Sequence, residues 1–124
     1  MSTSCIISFT DGVKTVTTYK HSDGYASHVV PMLEKFIKWN IRQDLEYCIA
    51  NWFYFAKRED RIHSEKLSKD LDLDMKYQDV YDQIGYGLEL EEYEPDFVVN
   101  VKDKTVVTKD LYKGQYINLG RNNK

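Results

Sequence analysis

Residues 4–20 read SCIISFTDGVKTVTTYK and contain the pattern that decides the fold. β-Branched and aromatic residues dominate both Ser4–Phe9 and Val13–Lys20, and the second run alternates with the period of two that a strand requires. Asp11-Gly12 lies between the two runs, and this pair supplies the positive φ that a tight reversal needs. The sequence therefore predicts an N-terminal β-hairpin.

After the hairpin, the apolar period changes from two residues to 3.6. The apolar stripe consists of Val29, Leu33, Phe36, Ile37, Ile41, Leu45, Cys48, Ile49, Trp52 and Phe53. Because the stripe keeps its phase through Asn40, it favours one long amphipathic helix over about 28–57 rather than two helices broken there, with a kink near Asn40 as a further alternative. Ser27 is the predicted N-cap. Residues 64–73 fit either a short second helix or an extended segment.

Four later segments have strand patterns, namely 84–90, 96–102, 105–108 and 115–119. Asp103-Lys104 separates the second from the third and predicts a two-residue hairpin turn. The order of two strands, a long helix and several strands predicts an α+β domain in which an antiparallel sheet packs on the helix. The length of 124 residues corresponds to a single domain, 1–124, with the last few residues expected to fray.

The composition excludes several classes of protein. Apolar residues make up 42% of the chain and aromatic residues 14%, which is enough for a core and unlike a disordered tail. The uncharged stretch Cys48–Ala56 is far shorter than the roughly 20 apolar residues of a membrane span, and the N-terminus does not resemble a signal peptide. Cys5 and Cys48 have no metal-type spacing and suit reduced, buried thiols. We therefore expect a cytoplasmic protein.

Carboxylates are concentrated in one part of the chain. Between Asp70 and Asp96, ten carboxylates accompany only Lys76, which gives a formal charge of −9. The candidate partner-binding residues in this segment are Asp70, Asp72, Asp74, Glu89, Glu91, Glu92 and Glu94. Such a surface repels nucleic acid and attracts a basic surface on another protein. The alternative is a solvated acidic face that only maintains solubility.

The loop that leaves the hairpin contains the best candidate ligand-binding cluster. Its members are Tyr19, His21, Asp23, Gly24 and Tyr25. The cluster combines two phenols, an imidazole and a carboxylate on a loop, and loops on a rigid scaffold often bind ligands. The alternative is that Asp23-Gly24 only forms a turn while the two tyrosines pack at the sheet edge.

The sequence contains no recognisable catalytic or metal-binding motif. Phosphate loops, nucleophile elbows, catalytic triads and paired cysteines are missing from it. His21, Asp23, His28 and His63 have suitable chemistry for a metal, but their spacing does not bring three or four ligands together. We therefore predict no cofactor, no metal and no catalytic residue, and we favour a protein that is not an enzyme.

Several features within the first 35 residues form a recognisable set. They are Met1-Ser2-Thr3-Ser4-Cys5-Ile6-Ile7, the Asp11-Gly12 turn, Val16, Tyr19, His21, Asp23-Gly24-Tyr25 and Met32-Leu33. Together they resemble short, largely uncharacterised proteins of tailed bacteriophages and prophages, which open with Met-Ser-Thr-Arg-Ser and later have Tyr-Cys-His-Trp-Asp-Gly-Tyr-Pro. Ser4, Lys20, Ser22 and Ala26 replace the Arg, Cys, Trp and Pro of that pattern. The resemblance implies a viral or mobile-element origin and no particular activity.

Two functions from different classes follow from these observations. The first is a non-enzymatic phage-type protein that binds a host macromolecule through the acidic segment and inhibits a defence or nucleic-acid-handling system of the host. The alternative is a small-ligand or nucleotide-binding module, or a small enzyme, that uses the loop from Tyr19 to Tyr25. We expect no direct binding of nucleic acid or membrane.

The long helix also carries more rings than one face can bury. Trp39, Tyr47, Tyr54 and Phe55 lie off the apolar stripe. Because rings left in water lose the free energy of burial, we expect a homodimer whose interface includes at least one of them.

Overall fold

A computed structural model describes residues 3–71, 83–109 and 116–118. The described strands are β1 (Cys5–Thr10), β2 (Thr15–Lys20), β3 (Tyr86–Leu88), β4 (Phe97–Asn100), β5 (Thr105–Lys109) and β6 (Tyr116–Asn118). The described helices are α1 (Ala26–Trp39) and α2 (Leu45–Leu71). The predicted α+β class is confirmed. The predictions for Asp72, Asp74 and the last few residues concern positions outside these ranges.

The N-terminal hairpin forms as the sequence predicts. β1 and β2 pair antiparallel from Cys5 opposite Lys20 to Thr10 opposite Thr15. At the turn, Asp11 Oδ1 accepts hydrogen bonds from the backbone N–H groups of Val13 (2.9 Å) and Lys14 (2.7 Å), and Gly12 has a φ of 96°. These two backbone donors hold the pKa of Asp11 below its usual value. The turn is therefore fixed by residues within it.

The sheet has six strands in the order β3-β2-β1-β4-β5-β6 and is mixed. β1 and β4 pair parallel, with Ile7 opposite Phe97, whereas the other neighbouring strands pair antiparallel. The expectation of a fully antiparallel sheet was wrong at this pair. Residues 89–96 connect β3 on one side of the hairpin to β4 on the other, so β4 enters the sheet in the direction of β1.

The predicted helix over 28–57 is two helices, with the chain broken at Asn40. The Asn40 side chain donates to the carbonyl of Arg42 (2.7 Å) and accepts from Asn51 Nδ2 (2.8 Å), which fixes the connection between α1 and α2. Ile41 is 85% exposed, although the stripe placed it inward. Buried residues of both helices belong to the same core cluster, so the break at Asn40 allows both to pack against the sheet.

The helix boundaries also differ from the sequence-based expectation. α1 begins after Tyr25, which makes no side-chain capping bond, so Ser27 is not the N-cap. α2 continues through Ser64 to Leu71, which decides the open question about residues 64–73 in favour of a helix as far as Leu71.

The core lies between the sheet and the two helices. Phe9 from β1, Phe36 from α1 and Trp52 from α2 are fully buried, and their ring centroids lie 5.3–6.0 Å apart. Edge-to-face and tilted contacts of this kind add to the free energy of burying the rings. None of the helices in the described ranges combines the length and apolar character of a membrane span.

Candidate functional site

An open cleft of about 910 Å³ lies where the β2–α1 loop, both helices and the start of β3 meet. Its lining consists of His21, Ser22, Asp23, Tyr25, His28, Pro31, Met32, Lys35, Lys57, Glu59, Asp60, His63, Ser64, Ile84, Gly85 and Tyr86. The volume falls within the range typical of small-molecule sites, which are concave and combine apolar walls with a few polar groups. This cleft is the candidate functional site.

The predicted ligand-binding loop supplies one wall of the cleft. His21, Asp23 and Tyr25 line it directly. Tyr19 does not line it, but its hydroxyl lies 3.3 Å from Nδ1 of His21. Asp23 has a φ of 56°, a left-handed conformation that Asp tolerates better than most residues, and its position in a turn agrees with the alternative interpretation of this segment. The loop is therefore both a turn and a wall of the cleft.

Gly24 packs against the chain segment that enters β1. Its backbone N–H donates to the Thr3 carbonyl at 2.7 Å. A Cβ at this position would lie 2.7 Å from the carbonyl carbon of Ser4 and 2.8 Å from Cys5 Cβ, closer than real Cβ atoms approach. The absence of a side chain therefore lets the loop lie against the beginning of β1.

Lys20 also fixes the β2–α1 loop. Its side chain is buried, its Nζ donates to the Ser22 carbonyl at 2.6 Å, and Nζ lies 5.0 Å from the centroid of the Tyr86 ring. A buried ammonium group needs such partners, because burial without them is costly. The lysine thereby joins the loop to β3.

The two helices supply the opposite walls through residues at helical spacing. α1 contributes His28, Pro31, Met32 and Lys35, and α2 contributes Lys57, Glu59, Asp60, His63 and Ser64. Spacings of three and four residues place side chains on one face of a helix. Lys35 Nζ and Glu59 Oε1 lie 2.7 Å apart and connect the two helices at one end of the cleft.

Tyr86 lines the cleft from β3. Its hydroxyl donates to Asp60 Oδ2 at 2.7 Å, and its ring meets that of Trp52 edge to face. Burial and the neighbouring Asp60 carboxylate raise the pKa of Tyr86 above its usual value, so the phenol stays protonated. This hydrogen bond fixes α2 against the sheet directly under the cleft.

Sequence reasoning missed the part of the site that comes from other elements. Lys57, Asp60 and Tyr86 are distant in sequence from the loop, and only the fold brings them to it. His28 and His63 were considered with the loop only as metal ligands, and they line the same cleft. The spacing of Lys57, Asp60 and Ser64 along one face of α2 is a signal that could have indicated a polar surface there. Within the described residues, no group of three or more His, Cys, Asp or Glu side chains has the geometry of a metal site.

The described carboxylates of the candidate partner-binding set do not line the cleft. Glu91, Glu92 and Glu94 are exposed in the connection between β3 and β4, Glu89 is half-buried, and Asp70 is exposed near the end of α2. Two apolar side chains stand among the four glutamates, with Leu90 85% exposed and Tyr93 60% exposed.

The four rings expected off the apolar stripe divide into two groups. Phe55 is buried, so its assignment to an outer face was wrong. The centroid of its ring lies 5.4 Å from that of Phe36 in the core. Trp39, Tyr47 and Tyr54 are exposed. Arginine side chains cover part of this aromatic surface, because the guanidinium of Arg58 lies 5.2–5.6 Å from the centroids of Trp39, Tyr54 and Phe55, and that of Arg42 lies 3.9 Å from Tyr47.

Both cysteines are buried and unpaired. Burial raises the pKa of Cys48 to about 12. Burial, with a smaller effect of the Asp96 carboxylate, raises the pKa of Cys5 to about 12. Since the thiolate is the nucleophile and the metal ligand, neither residue is suited to either role in the folded protein.

Comparisons of this chain with protein-family models, with curated proteins and with solved structures found no match.

Proposed function

We propose that this protein binds a small organic ligand in the cleft between the β2–α1 loop, α1, α2 and β3. The observation that carries the proposal is the convergence of His21, Asp23 and Tyr25 with polar groups of both helices around one cavity of about 910 Å³. Apolar walls with a few convergent polar groups are the usual composition of a ligand site.

The chemistry of the lining suits a ligand with a flat or apolar body and a polar end. Tyr25, Pro31 and Ile84 present apolar surface, and Tyr25 is 50% exposed. Ser22 and Ser64 offer hydroxyl groups that can donate or accept. Lys57 and His63 add an ammonium group and an imidazole, which can donate hydrogen bonds to a ligand.

The cleft is also held in shape before any ligand arrives. The Lys35–Glu59 pair connects the helices, the Tyr86–Asp60 bond anchors α2 to the sheet, and the Gly24 N–H anchors the loop to Thr3. A preformed site binds more tightly, because less free energy is spent on ordering it.

A thermal-shift screen of nucleotides and other small metabolites tests the proposal. A ligand bound only by the folded state raises the melting temperature. Hits are then titrated against Tyr25→Ala and His63→Ala, which should weaken binding, and against Tyr93→Ala. Tyr93 is a matched control because it has an exposed ring outside the cleft. The proposal is refuted if no compound raises the melting temperature, or if the hits bind both cleft variants as tightly as the wild type.

A second candidate function is the binding of a host macromolecule through the acidic connection between β3 and β4. Its support is the exposure of Leu90 and Tyr93 among Glu91, Glu92 and Glu94, since an apolar surface rimmed by charge is typical of interaction sites. We propose this role for a phage-type protein that acts in the cytoplasm of a host cell.

The second candidate is tested by recovering partners from a host lysate. The bait is the wild-type protein or a variant in which Glu89, Glu91, Glu92 and Glu94 are changed to Gln. The neutralised variant should lose partners that carry a basic surface. Equal recovery by the two proteins would contradict the docking role of the glutamates.

A further inference from the structure

The contacts between α1 and α2 show which residues of the two helices lie side by side. Lys35 pairs with Glu59 at 2.7 Å. One turn earlier in α1, Met32 Sδ lies 4.0 Å from the Tyr86 hydroxyl, which also bonds Asp60. Residue numbers thus fall along α1 while they rise along α2, as in antiparallel helices.

Extending this match by one more turn brings two histidines to the same level of the cleft. His28 lies four residues before Met32 in α1, and His63 and Ser64 lie three and four residues after Asp60 in α2. Each helix therefore advances by about 6 Å, at about 1.5 Å per residue. Since all of these residues line the cleft, His28 from α1 and His63 from α2 stand at the same level of its lining.

His21 completes the set from the β2–α1 loop. The chain has three histidines, and all three line this cleft. The described lining also contains two lysines and three carboxylates, which give a formal charge of −1 when the imidazoles are neutral and +2 when all are protonated. Histidine is the side chain that ordinarily changes charge between pH 5 and 8. Protonation of these three imidazoles would therefore reverse the sign of the formal charge of the described lining.

We infer that the ligand is an organic anion with an apolar or aromatic body, and that the cleft binds it more tightly as the pH falls from about 8 to about 6. The inference rests on the proposed ligand-binding function and specifies the chemical class of the ligand. The anionic group lies between His28 and His63, and the body lies against Tyr25 and Ile84.

Other charged groups around the histidines determine the size of this effect. The groups facing them are Asp23 and Tyr25 from the loop, Lys35 from α1, Lys57, Glu59 and Asp60 from α2, and Tyr86 from β3. Glu59 is neutralised by Lys35, and Asp60 accepts the Tyr86 hydroxyl. Asp23 and Asp60 keep their negative charge, because a hydrogen bond from a neutral phenol removes none. Together with Lys57 they leave one net negative charge, which does not offset three imidazolium groups.

Two probes that differ only in charge test the inference. Benzenesulfonate keeps its negative charge at both pH values, and benzenesulfonamide is neutral with nearly the same shape. Dissociation constants are measured by calorimetry with full-length protein at about pH 6 and about pH 8 in the presence of EDTA. Benzenesulfonate should bind on the order of tenfold more tightly at the lower pH, and benzenesulfonamide should show no such change. Tryptophan fluorescence reports whether the fold is the same at both pH values.

Variants assign the pH response to the two histidines. His28→Asn and His63→Asn should each reduce it, and the double variant should reduce it further, to the contribution of His21 alone. Lys38→Gln removes a positive charge from an exposed residue of α1 outside the cleft and should keep the full response. If the double variant fails to fold, the two single variants provide the same comparison.

The outcomes separate this inference from the proposed function. Equal affinity for benzenesulfonate at both pH values, or the same pH response with benzenesulfonamide, overturns the inference. Binding of benzenesulfonamide without binding of benzenesulfonate also overturns it and leaves the ligand-binding function in place. If neither probe binds and the thermal-shift screen yields no hit, both are refuted.

Discussion

Replacing Gly24 by Ala should destabilise the protein, because the loop that forms the cleft wall has no room for a side chain there. The added Cβ would lie 2.7 Å from the Ser4 carbonyl carbon, 2.8 Å from Cys5 Cβ and 2.9 Å from the Cys5 nitrogen. Two of these three atoms belong to the backbone of the segment that enters β1. Neither can be relieved by rotating a side chain, so the loop and the strand must separate.

The size of the effect follows from what has to move. Ordinary van der Waals contact requires at least about 3.4 Å, so the loop must retreat from β1 by about half an ångström or more. This movement also lengthens the 2.7 Å hydrogen bond from the Gly24 N–H to the Thr3 carbonyl. Overpacking of this kind costs about 1–3 kcal/mol, and we expect Gly24→Ala to fall within that range.

Urea denaturation followed by tryptophan fluorescence measures the change in the free energy of unfolding. Gly87→Ala in β3 is the matched control, because a Cβ there would meet nothing within 4 Å. Gly12→Ala separates a steric effect from a conformational one, since Gly12 has open space but a φ of 96°. We expect Gly87→Ala to change stability by less than about 0.5 kcal/mol and Gly12→Ala to cost about 1 kcal/mol.

The steric reasoning fails if Gly24→Ala is as stable as the wild type, or if Gly87→Ala is destabilised to the same extent. The same variant also tests the link between the loop and the cleft. Because Asp23 and Tyr25 flank Gly24, a displaced loop should weaken the binding of any ligand identified in the screen.

Three further predictions follow. Tyr86→Phe should cost about 1–2 kcal/mol, because the Asp60 carboxylate loses its 2.7 Å donor, whereas Tyr93→Phe at an exposed position should cost nothing measurable by urea denaturation. Cys5 and Cys48 should resist thiol reagents until the protein unfolds. Because burial raises both pKa values to about 12 from 9.0, the thiols of the unfolded state lose their protons first, and the free energy of unfolding should fall as the pH rises from about 9 toward 12. Cys48→Ala should reduce this dependence of the unfolding free energy on pH. If the exposed rings of the two helices form a homodimer, light scattering should give about twice the monomer mass of 14.7 kDa, and the monomer mass would refute that expectation.

Local sequence signals were sufficient for the parts of the fold that are made of neighbours in the chain. The Asp11-Gly12 turn is closed by bonds to Val13 and Lys14, so the hairpin could be predicted from those few residues. The strands were predicted for the same reason, because the alternation that marks a strand lies within the strand itself. The α+β class followed from the order of these elements along the chain.

The candidate site was predicted only where it coincides with one loop. His21, Asp23 and Tyr25 are close in sequence and stand together on the cleft wall. Their partners across the cleft, His63 and Tyr86, are tens of residues away, and no local pattern connects them to the loop. Gly24 was predicted to be part of the ligand-binding cluster because it lies between Asp23 and Tyr25 in the sequence. In the structure its role is steric, because it lies against the beginning of β1.

The sequence by itself determined the hairpin, the helical character of the segment after it, and the position of each strand, because hydrogen bonds and side-chain periodicity between near neighbours specify them. Only the tertiary structure decided three other features. The helix divides at Asn40, where the Asn40 side chain bonds the Arg42 carbonyl and the Asn51 side chain and both helices pack into one core. β4 pairs parallel with β1 because residues 89–96 carry the chain to the far side of the hairpin. The three histidines share one cleft because the burial of the common core brings the loop, α1 and α2 together.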